Sequence, residues 1–295
     1  MRVRHPELGP APVALESTLL AHGVPRGAAR PLADQLDAIV RTKGATPAVC
    51  AVLAGVPTVG LSPSQLAELL DANPVKTNTA TLGLAIAAGR HAATTVSTTM
   101  ELAAGAGVRT FATGGLGGVH RGYADRLDIS ADLAAFTRFP VAVVASGVKS
   151  ILDVEATREA LETLGVPVVG FRCDRFPAFY RRESEATVDE RFDDVRTLAS
   201  YVSMELDRTG RGVLICNPIP EREELDAGAW SLWLAEAERR ASDAGATGRA
   251  VTPAVLGALH EASGGRTLEA NLALVRANAA LAGELAVAMS PITPG

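Results

Sequence analysis

The sequence predicts an α/β protein with a mostly parallel central sheet, helices on both faces of that sheet and a helical C-terminal third. Three observations predict this class. Short apolar runs alternate with helical patterns, the runs are continuously apolar, and the chain beyond residue 229 carries mostly helical spacing. Alternating strands and helices are typical of parallel sheets, and strands without a polar face are typical of sheets covered on both sides.

The elements follow one another without a long linker or an internal repeat, so a single domain spanning residues 1–295 is expected. Short β-branched or apolar runs predict strands within residues 11–18, 46–53, 56–61, 108–115, 141–147, 167–171 and 212–218. Apolar residues at helical spacing predict helices over residues 31–41, 62–73, 151–164, 229–244, 253–263 and 267–289. The charged and aromatic stretch 171–194 has no clear period, and it is either a functional loop or a solvated connection.

Composition and charge exclude several classes of function. The net charge of −5 gives no basic excess, so no nucleic-acid partner is expected. No apolar run approaches the length of a membrane-spanning helix and the N-terminus has no signal core, so we expect a cytoplasmic protein without a membrane partner. The cysteines Cys50, Cys173 and Cys216 lack metal-ligand spacing, and the two in apolar runs, Cys50 and Cys216, predict reduced, buried thiols.

A lysine lies between a predicted buried strand and a predicted helix. Lys149 follows the run VAVVASG, and Ser150 is the expected N-cap of the next helix, with Asp153 three positions later. Burial and the positive end of a helix both disfavour the ammonium form, and a neutral amine is a nucleophile that forms Schiff bases with carbonyl compounds. A lysine that reaches water or pairs with a carboxylate is the alternative.

Two other strand ends carry polar groups. Glu16 closes the first predicted strand, where it is either a general acid or base or a structural hydrogen-bond acceptor. The glycine-rich run 111–122 allows backbone N–H groups to approach an anion, with His120 and Arg121 as further donors. A tight turn without a ligand is the alternative for this run.

The segment LDISADL places Asp128, Ser130 and Asp132 at alternating positions. Two close carboxylates suit a hard cation such as Mg²⁺ or Mn²⁺, although acidic residues at a helix start are the commoner case. Together with the lysine, the acid and the glycines, this segment predicts a site for a phosphorylated sugar with a latent aldehyde.

Several motifs, in the same order along the chain, resemble the pseudouridine-5′-phosphate glycosidase family. They include ALEST (14–18), FATGGLGGVHRG (111–122), LDISADL (127–133), VKSILD (148–153) and LEANLAL (268–274). The resemblance implies an α/β homotrimer that acts on the C–C bond between C1′ of ribose 5-phosphate and C5 of uracil. It also implies a divalent metal, most commonly Mn²⁺, with Mg²⁺ as an alternative.

The resemblance assigns roles to individual residues. Lys149 matches the Schiff-base lysine, Glu16 the proton donor, and Asp128 the ligand that holds the metal mostly through waters. Lys76 matches a lysine that contacts the substrate phosphate, and Asn271 matches the residue that hydrogen-bonds uracil. The remaining implied substrate contacts are Val96, Thr113, His120, Ser130, Ala131 and Asp132.

The sequence departs from the family pattern where the base should lie. TNTAT (77–81) stands in place of a basic stretch, and Ala277–Asn278 stands in place of paired asparagines. These changes favour a C-glycosynthase that joins ribose 5-phosphate to another carbon nucleophile, such as an aromatic polyketide in antibiotic biosynthesis. The alternatives are a glycosidase that releases uracil and ribose 5-phosphate, and a non-catalytic sugar-phosphate-binding protein. Trp230 and Trp233, at i and i+3, predict core packing of an amphipathic helix.

Overall fold

A computed structural model describes residues 3–5, 8–123, 127–245 and 251–290. The strands within these residues are β1 (Pro12–Glu16), β2 (Thr46–Leu53), β3 (Val56–Val59), β4 (Val75–Thr77), β5 (Ala92–Thr94), β6 (Thr110–Ala112), β7 (Ala142–Ala145), β8 (Val168–Phe171), β9 (Glu190–Phe192) and β10 (Val213–Cys216). The helices are α1 (Ser17–His22), α2 (Arg26–Thr42), α3 (Pro63–Asp71), α4 (Thr79–Ala87), α5 (Val96–Gly105), α6 (Ala131–Phe136), α7 (Val154–Thr163), α8 (Val195–Thr209), α9 (Ala227–Asp243), α10 (Val251–Ala262) and α11 (Arg266–Met289), with a 3₁₀ turn at Glu221–Glu223.

All ten strands form one mixed sheet in the order β4-β5-β2-β1-β6-β7-β10-β8-β9, with β3 paired to β2. The pairs from β2 through β1, β6, β7, β10 and β8 to β9 are parallel, which confirms the prediction of a mostly parallel sheet. The two antiparallel pairs, β2–β3 and β2–β5, were not predicted. The β2–β3 hairpin turns through Ala54 and Gly55, both at positive φ as a two-residue type I′ turn requires.

Helices cover both faces of the sheet, as the sequence predicts. Side chains alternate across each strand, so Val13 and Leu15 of β1 pack in one apolar core while Ala14 packs in the other. The first core takes residues from α1, α2, α3, α8, α9, α10 and α11, and the second takes residues from α4, α5, α6 and α7. The carboxyl ends of the parallel strands therefore open between two helical layers, where ligands gather in α/β proteins.

The longest helix, α11, corrects one expectation. Its 24 residues are long and apolar enough to cross a membrane, whereas the sequence led us to expect no run of that length. Half of its most apolar window is buried within the fold, and the helix contacts β1, β6, β7, α2 and α8. The low charge of α11 follows from its place against the sheet, since a helix buried in a core is apolar on several sides.

The stretch 171–194 is a folded connection with a buried aromatic part. Phe176 and Phe179 are buried, and the segment ends in the edge strand β9. Tyr180 packs against Trp230 of α9 with ring centroids 5.3 Å apart. Trp230 is buried and Trp233 packs at the margin of the same core, which confirms the core-packing interpretation of both tryptophans.

Candidate active site

The carboxylate of Glu16 lies buried at the end of β1, where the chain passes directly into α1. The Thr113 hydroxyl, just beyond the end of the neighbouring strand β6, donates a hydrogen bond to Glu16 Oε1. Burial raises the pKa of Glu16, and this effect outweighs the positive charge of Lys149 and the Thr113 hydrogen bond, which both lower it. A carboxyl group with a raised pKa is suited to give and take protons near neutral pH.

The position of Lys149 corrects the predicted helix start. Ser150 is not the N-cap, because α7 begins five residues after Lys149 and Asp153 caps it by accepting a backbone hydrogen bond of 2.9 Å. Lys149 instead lies in a loop that pairs with the glycine-rich run, where its backbone N–H donates to Leu116 O at 3.0 Å. Its side chain is half-buried. The helix expected to begin directly after Lys149 therefore begins at Val154.

Four ionisable side chains interact at these strand ends. Lys149, Lys76 and Asp132 all act electrostatically on Glu16, the two lysines lowering its pKa and the aspartate raising it. Loss of surrounding water lowers the pKa of Lys76, and repulsion from Lys149 lowers it further, although the side chain keeps contact with solvent. The structure thus brings together the predicted amine, acid and phosphate-contacting lysine.

Hydroxyl groups explain how the antiparallel strand β5 reaches this site. Ser17 Oγ donates to Cys50 O at 2.7 Å, and Thr94 Oγ1 donates to the same carbonyl at 2.9 Å. The Thr94 N–H donates to Ser17 Oγ at 2.9 Å, which joins the end of β5 to the start of α1. Thr94 pairs with Thr77 of β4, so this arrangement carries Lys76 toward Glu16. Sequence reasoning missed this network.

The Asp132 carboxylate binds backbone groups. Its Oδ1 accepts from Ser97 N at 2.9 Å, and its Oδ2 accepts from Gly117 N at 2.9 Å. Ser130 caps α6 by accepting from Asp132 N at 3.2 Å. Both Asp132 oxygens thus hold the glycine-rich run against α5, which fits the helix-start alternative for Asp132. A metal site shared with Asp128 stays a prediction.

Asp128 is exposed, and its backbone carbonyl accepts from His120 N at 3.0 Å. Across residues 3–5, 8–123, 127–245 and 251–290, no group of three or more His, Cys, Asp or Glu side chains could surround a metal ion. Asp128 by itself offers one exposed carboxylate, and Mg²⁺-like ions that keep several waters bind through one or two carboxylates and a substrate phosphate.

The other predicted substrate contacts surround the same strand ends. Val96, the first residue of α5, is buried, while His120, Ser130 and Ala131 are half-buried. Asn271 of α11 carries a buried side-chain oxygen that has no hydrogen-bond partner in the part of the chain that the structure describes. A Cβ atom on Gly114 would lie 3.4 Å from this oxygen, so Asn271 reaches the glycine-rich run.

The uncharged stretch 77–81 has a structural explanation. Asn78 caps α4 by accepting from the N–H groups of Ala80 and Thr81, at 3.1 and 3.2 Å. Thr81 Oγ1 accepts from Asn78 N at 3.2 Å and completes a capping box. This departure from the family pattern therefore begins a helix, which weakens its use as a sign of a different acceptor.

Asn278 forms a buried network that sequence reasoning noted only as a departure from the family pattern. Its Nδ2 donates to Thr113 O at 2.8 Å and to Ser146 Oγ at 3.1 Å, and its Oδ1 accepts from Asn217 Nδ2 at 2.9 Å. These partners follow β6, β7 and β10. An asparagine at a helical core position was the available signal, because a buried amide requires hydrogen-bond partners.

Comparison with known proteins identifies relatives along almost the entire chain. Residues 7–288 match the family model described as "Indigoidine synthase A like protein". The pseudouridine-5′-phosphate glycosidase of Methylobacterium nodulans is 48% identical over 96% of this chain and 85% of its own length. The enzyme of the same name from Deinococcus radiodurans is 47% identical over 93% of this chain and 88% of its own.

Two solved structures share the fold. An indigoidine synthase A-like protein from Thermotoga maritima superposes with a TM-score of 0.88 at 37% identity, covering 97% of both chains. The prealnumycin C-glycosynthase AlnA, solved in complex with ribulose 5-phosphate, superposes with a TM-score of 0.86 at 38% identity, covering 94% of this chain and 91% of its own. The chain therefore belongs to the indigoidine synthase A-like family of enzymes, which includes the pseudouridine-5′-phosphate glycosidases that its motifs resemble.

Proposed function

We propose that this protein is a pseudouridine-5′-phosphate glycosidase, which splits the C–C bond between ribose C1′ and uracil C5. The observation that carries the proposal is the buried Glu16 carboxylate with its raised pKa, set beside the Lys149 amine. Relatives with this name reach 48% identity, whereas the C-glycosynthase AlnA is 38% identical. This balance favours the glycosidase over the C-glycosynthase that the sequence alone led us to prefer.

Lys149 supplies the nucleophile in this proposal. Its amine nitrogen attacks C1′ while the bond from C1′ to the ring oxygen breaks, and Glu16 gives that oxygen a proton. The Glu16 carboxylate then takes a proton from the new secondary ammonium and gives it to uracil C5 as the C1′–C5 bond breaks, while the nitrogen lone pair forms the iminium. Water hydrolyses the iminium, so pseudouridine 5′-phosphate and water give uracil and ribose 5-phosphate.

The remaining polar groups anchor the two ends of the substrate. We assign the phosphate to Lys76, His120 and the backbone N–H groups of the glycine-rich run, since these donors suit an anion. The unpartnered oxygen of Asn271 supports its assignment as the acceptor for a uracil N–H group. We also assign sugar contacts to Val96, Thr113, Ser130, Ala131 and Asp132. Binding energy away from C1′ positions the reacting atoms.

We further propose that Asp128 holds a hydrated divalent ion, Mn²⁺ or Mg²⁺, next to the substrate phosphate. When bound, the ion supplies positive charge that offsets the phosphate. The Asp128→Asn substitution, and treatment of wild type with a chelator, should each raise KM by about tenfold or more, with a smaller change in kcat. Full activity of a metal-free protein, verified by elemental analysis, would remove the ion from the proposal.

Assembly and cellular location extend the proposal. We propose a homotrimer of a single folded domain, with a mass three times the 30.5 kDa of one chain in light scattering and one cooperative unfolding transition. A cytoplasmic location is supported by Cys50, Cys173 and Cys216, which are free and buried.

Uracil release and covalent trapping together test the function. Wild type should release uracil from pseudouridine 5′-phosphate and should gain the mass of reduced ribose 5-phosphate when borohydride is added. Lys149→Ala should lose the adduct, whereas Glu16→Ala should retain some adduct and lose turnover. Lys43→Ala is the matched control, because Lys43 lies outside the site and forms an ion pair with Glu284, with Nζ and Oε1 2.6 Å apart.

The outcomes separate the three functions. An adduct without uracil release would favour the C-glycosynthase, which can then be assayed with aromatic carbon nucleophiles. If folded wild type showed neither uracil release nor the adduct, the non-catalytic sugar-phosphate-binding function would be the one that remains.

A further inference from the structure

We propose that Asn278 is a positioning residue that fixes the Glu16 side of the active site relative to the Lys149 loop. The inference rests on the proposed function, because it concerns the geometry of the same acid and amine. Asn278 lies on α11, is fully buried, and forms its hydrogen bonds with Thr113, Ser146 and Asn217 rather than with the Glu16 or Lys149 side chain.

One side chain links the ends of three adjacent strands. Asn278 Nδ2 donates to the carbonyl of Thr113 after β6 and to the hydroxyl of Ser146 after β7. Its Oδ1 accepts from Asn217 after β10, and Ser146 Oγ in turn donates to Asn217 O at 2.8 Å. The backbone also joins the first two ends, since Ser146 N donates to Gly114 O at 3.0 Å.

Two of the three linked strand ends, those of β6 and β7, lead directly to a reacting group. Thr113 uses its backbone carbonyl for Asn278 and its hydroxyl for the Glu16 carboxylate. Ser146 precedes Lys149 by three residues, and this short loop also bonds to the glycine-rich run through Lys149 N and Leu116 O. A shift at Asn278 would therefore move Thr113 away from Glu16 and change the path of the Lys149 loop.

Only an asparagine-like amide satisfies this arrangement. Two carbonyls and a hydroxyl need a donor, while the Asn217 amide needs an acceptor. The substitution Asn278→Asp would place an oxygen against the carbonyls of Thr113 and Gly114, and Asn278→Ala would leave several buried groups without partners. The side chain thus combines both hydrogen-bonding roles in a space closed to water.

The test compares Asn278→Asp and Ser146→Ala with Leu285→Ala, a substitution at a fully buried position on the same helix and outside the network. We expect the network variants to lower kcat for uracil release by about ten- to a hundredfold while KM stays within about threefold, because small displacements at a reacting centre are costly. The rate of borohydride-trapped adduct formation should fall in parallel. Leu285→Ala should lower the melting temperature without these losses at equal folded fraction.

Two readouts separate positioning from general instability. Loss of the Thr113 hydrogen bond should move the limb of the kcat/KM–pH profile that belongs to Glu16 to higher pH, since that bond lowers its pKa. Hydrogen exchange at residues 113–116 and 146–149 should speed up in Asn278→Asp and stay unchanged in Leu285→Ala.

The inference would be overturned if Asn278→Asp kept the kcat, the pH profile and the hydrogen-exchange rates of wild type. It would also be overturned if Leu285→Ala lost as much kcat as Asn278→Asp. If wild type forms the adduct and releases no uracil, the proposed glycosidase fails, and adduct formation still measures the role of Asn278. If wild type shows neither reaction, the exchange experiment alone decides whether Asn278 holds the two loops.

Discussion

Thr113 donates its hydroxyl hydrogen to the buried carboxylate of Glu16, across the boundary between two neighbouring parallel strands. Parallel pairing of β1 with β6 places the residues that follow both strands at the same edge of the sheet. The bond offsets part of the cost of burying a carboxylate and fixes the direction of its second oxygen.

The first prediction concerns the Thr113 hydroxyl. Thr113→Val should lower kcat/KM for pseudouridine 5′-phosphate by about ten- to a hundredfold, because hydrogen bonds to charged groups contribute about 1.5–3 kcal/mol. The bond lowers the pKa of Glu16, so its loss raises that pKa and moves the Glu16 limb of the pH profile to higher pH. Stopped assays of uracil release between about pH 5 and pH 9 measure both effects.

Thr110→Val provides the matched control for that experiment. Thr110 begins β6, the strand that Thr113 follows, and it is buried, but its hydroxyl bonds only to the Met289 sulfur among the described residues. The control should keep the wild-type pH profile. A similar displacement in both variants would mean that β6 packing, rather than the hydroxyl, sets the acidity of Glu16.

The second prediction concerns stability. Burial raises the pKa of Glu16 above its unfolded value of 4.5, so the folded protein is penalised wherever the unfolded carboxyl group would be ionised. Glu16→Gln should therefore melt at least about 2 °C above wild type at pH 7 while losing turnover. The difference should shrink as the pH falls through the raised pKa and vanish below 4.5. A melting difference that persists at about pH 4 would contradict this account.

The third prediction separates binding from chemistry at Lys76. Lys76→Met should raise KM by about tenfold and change kcat by less than about threefold, because the ammonium group holds a phosphate that does not react. Lys43→Met removes a surface lysine paired with Glu284 and should leave both constants unchanged. A fall in kcat without a change in KM would place Lys76 in the chemical step.

The sequence predicts most of the parallel sheet and the large helices because their apolar runs are long and regular. Helices α9, α10 and α11 lie within two residues of the predicted ranges. The β2–β3 hairpin was missed because its turn is Ala54–Gly55 rather than a dipeptide rich in asparagine or aspartate. Strand β5 is absent from the predicted strands, because it is short and is held by hydroxyl bonds to Ser17 and Cys50, which are distant in sequence.

The site residues show the same division between local and distant information. Glu16 and Lys149 were recognisable from their places after apolar strands. The capping of α7 by Asp153 rather than Ser150 could not be recognised from the sequence, because it depends on pairing of the intervening loop with Leu116 and Val119 of the glycine-rich run. The hydrogen bonds that Asp132 accepts from Ser97 and Gly117 could not be predicted, because only the fold brings those two residues near.

The last prediction concerns the path of the Lys149 loop. Gly147 has φ +75°, and a Cβ atom there would overlap the carbonyl oxygen of Pro177. Gly210 has φ +64° with no atom within 4 Å of an added Cβ, so it isolates the cost of a left-handed alanine, about 1–2 kcal/mol. Gly210→Ala should melt a few degrees lower and keep its kcat. Gly147→Ala must also displace backbone, so it should melt lower still.

Hydrogen bonds on either side of Gly147 explain why Gly147→Ala should also slow the reaction at Lys149. Gly147 O accepts from Leu116 N at 3.0 Å, and Ser146 O accepts from Phe179 N at 2.9 Å, so the loop is held between the glycine-rich run and the segment 176–180. Moving Pro177 away from Gly147 would shift Lys149, and adduct formation with ribose 5-phosphate should fall by about a hundredfold. Melting and adduct formation equal to those of Gly210→Ala would mean that the segment 176–180 does not restrain the loop.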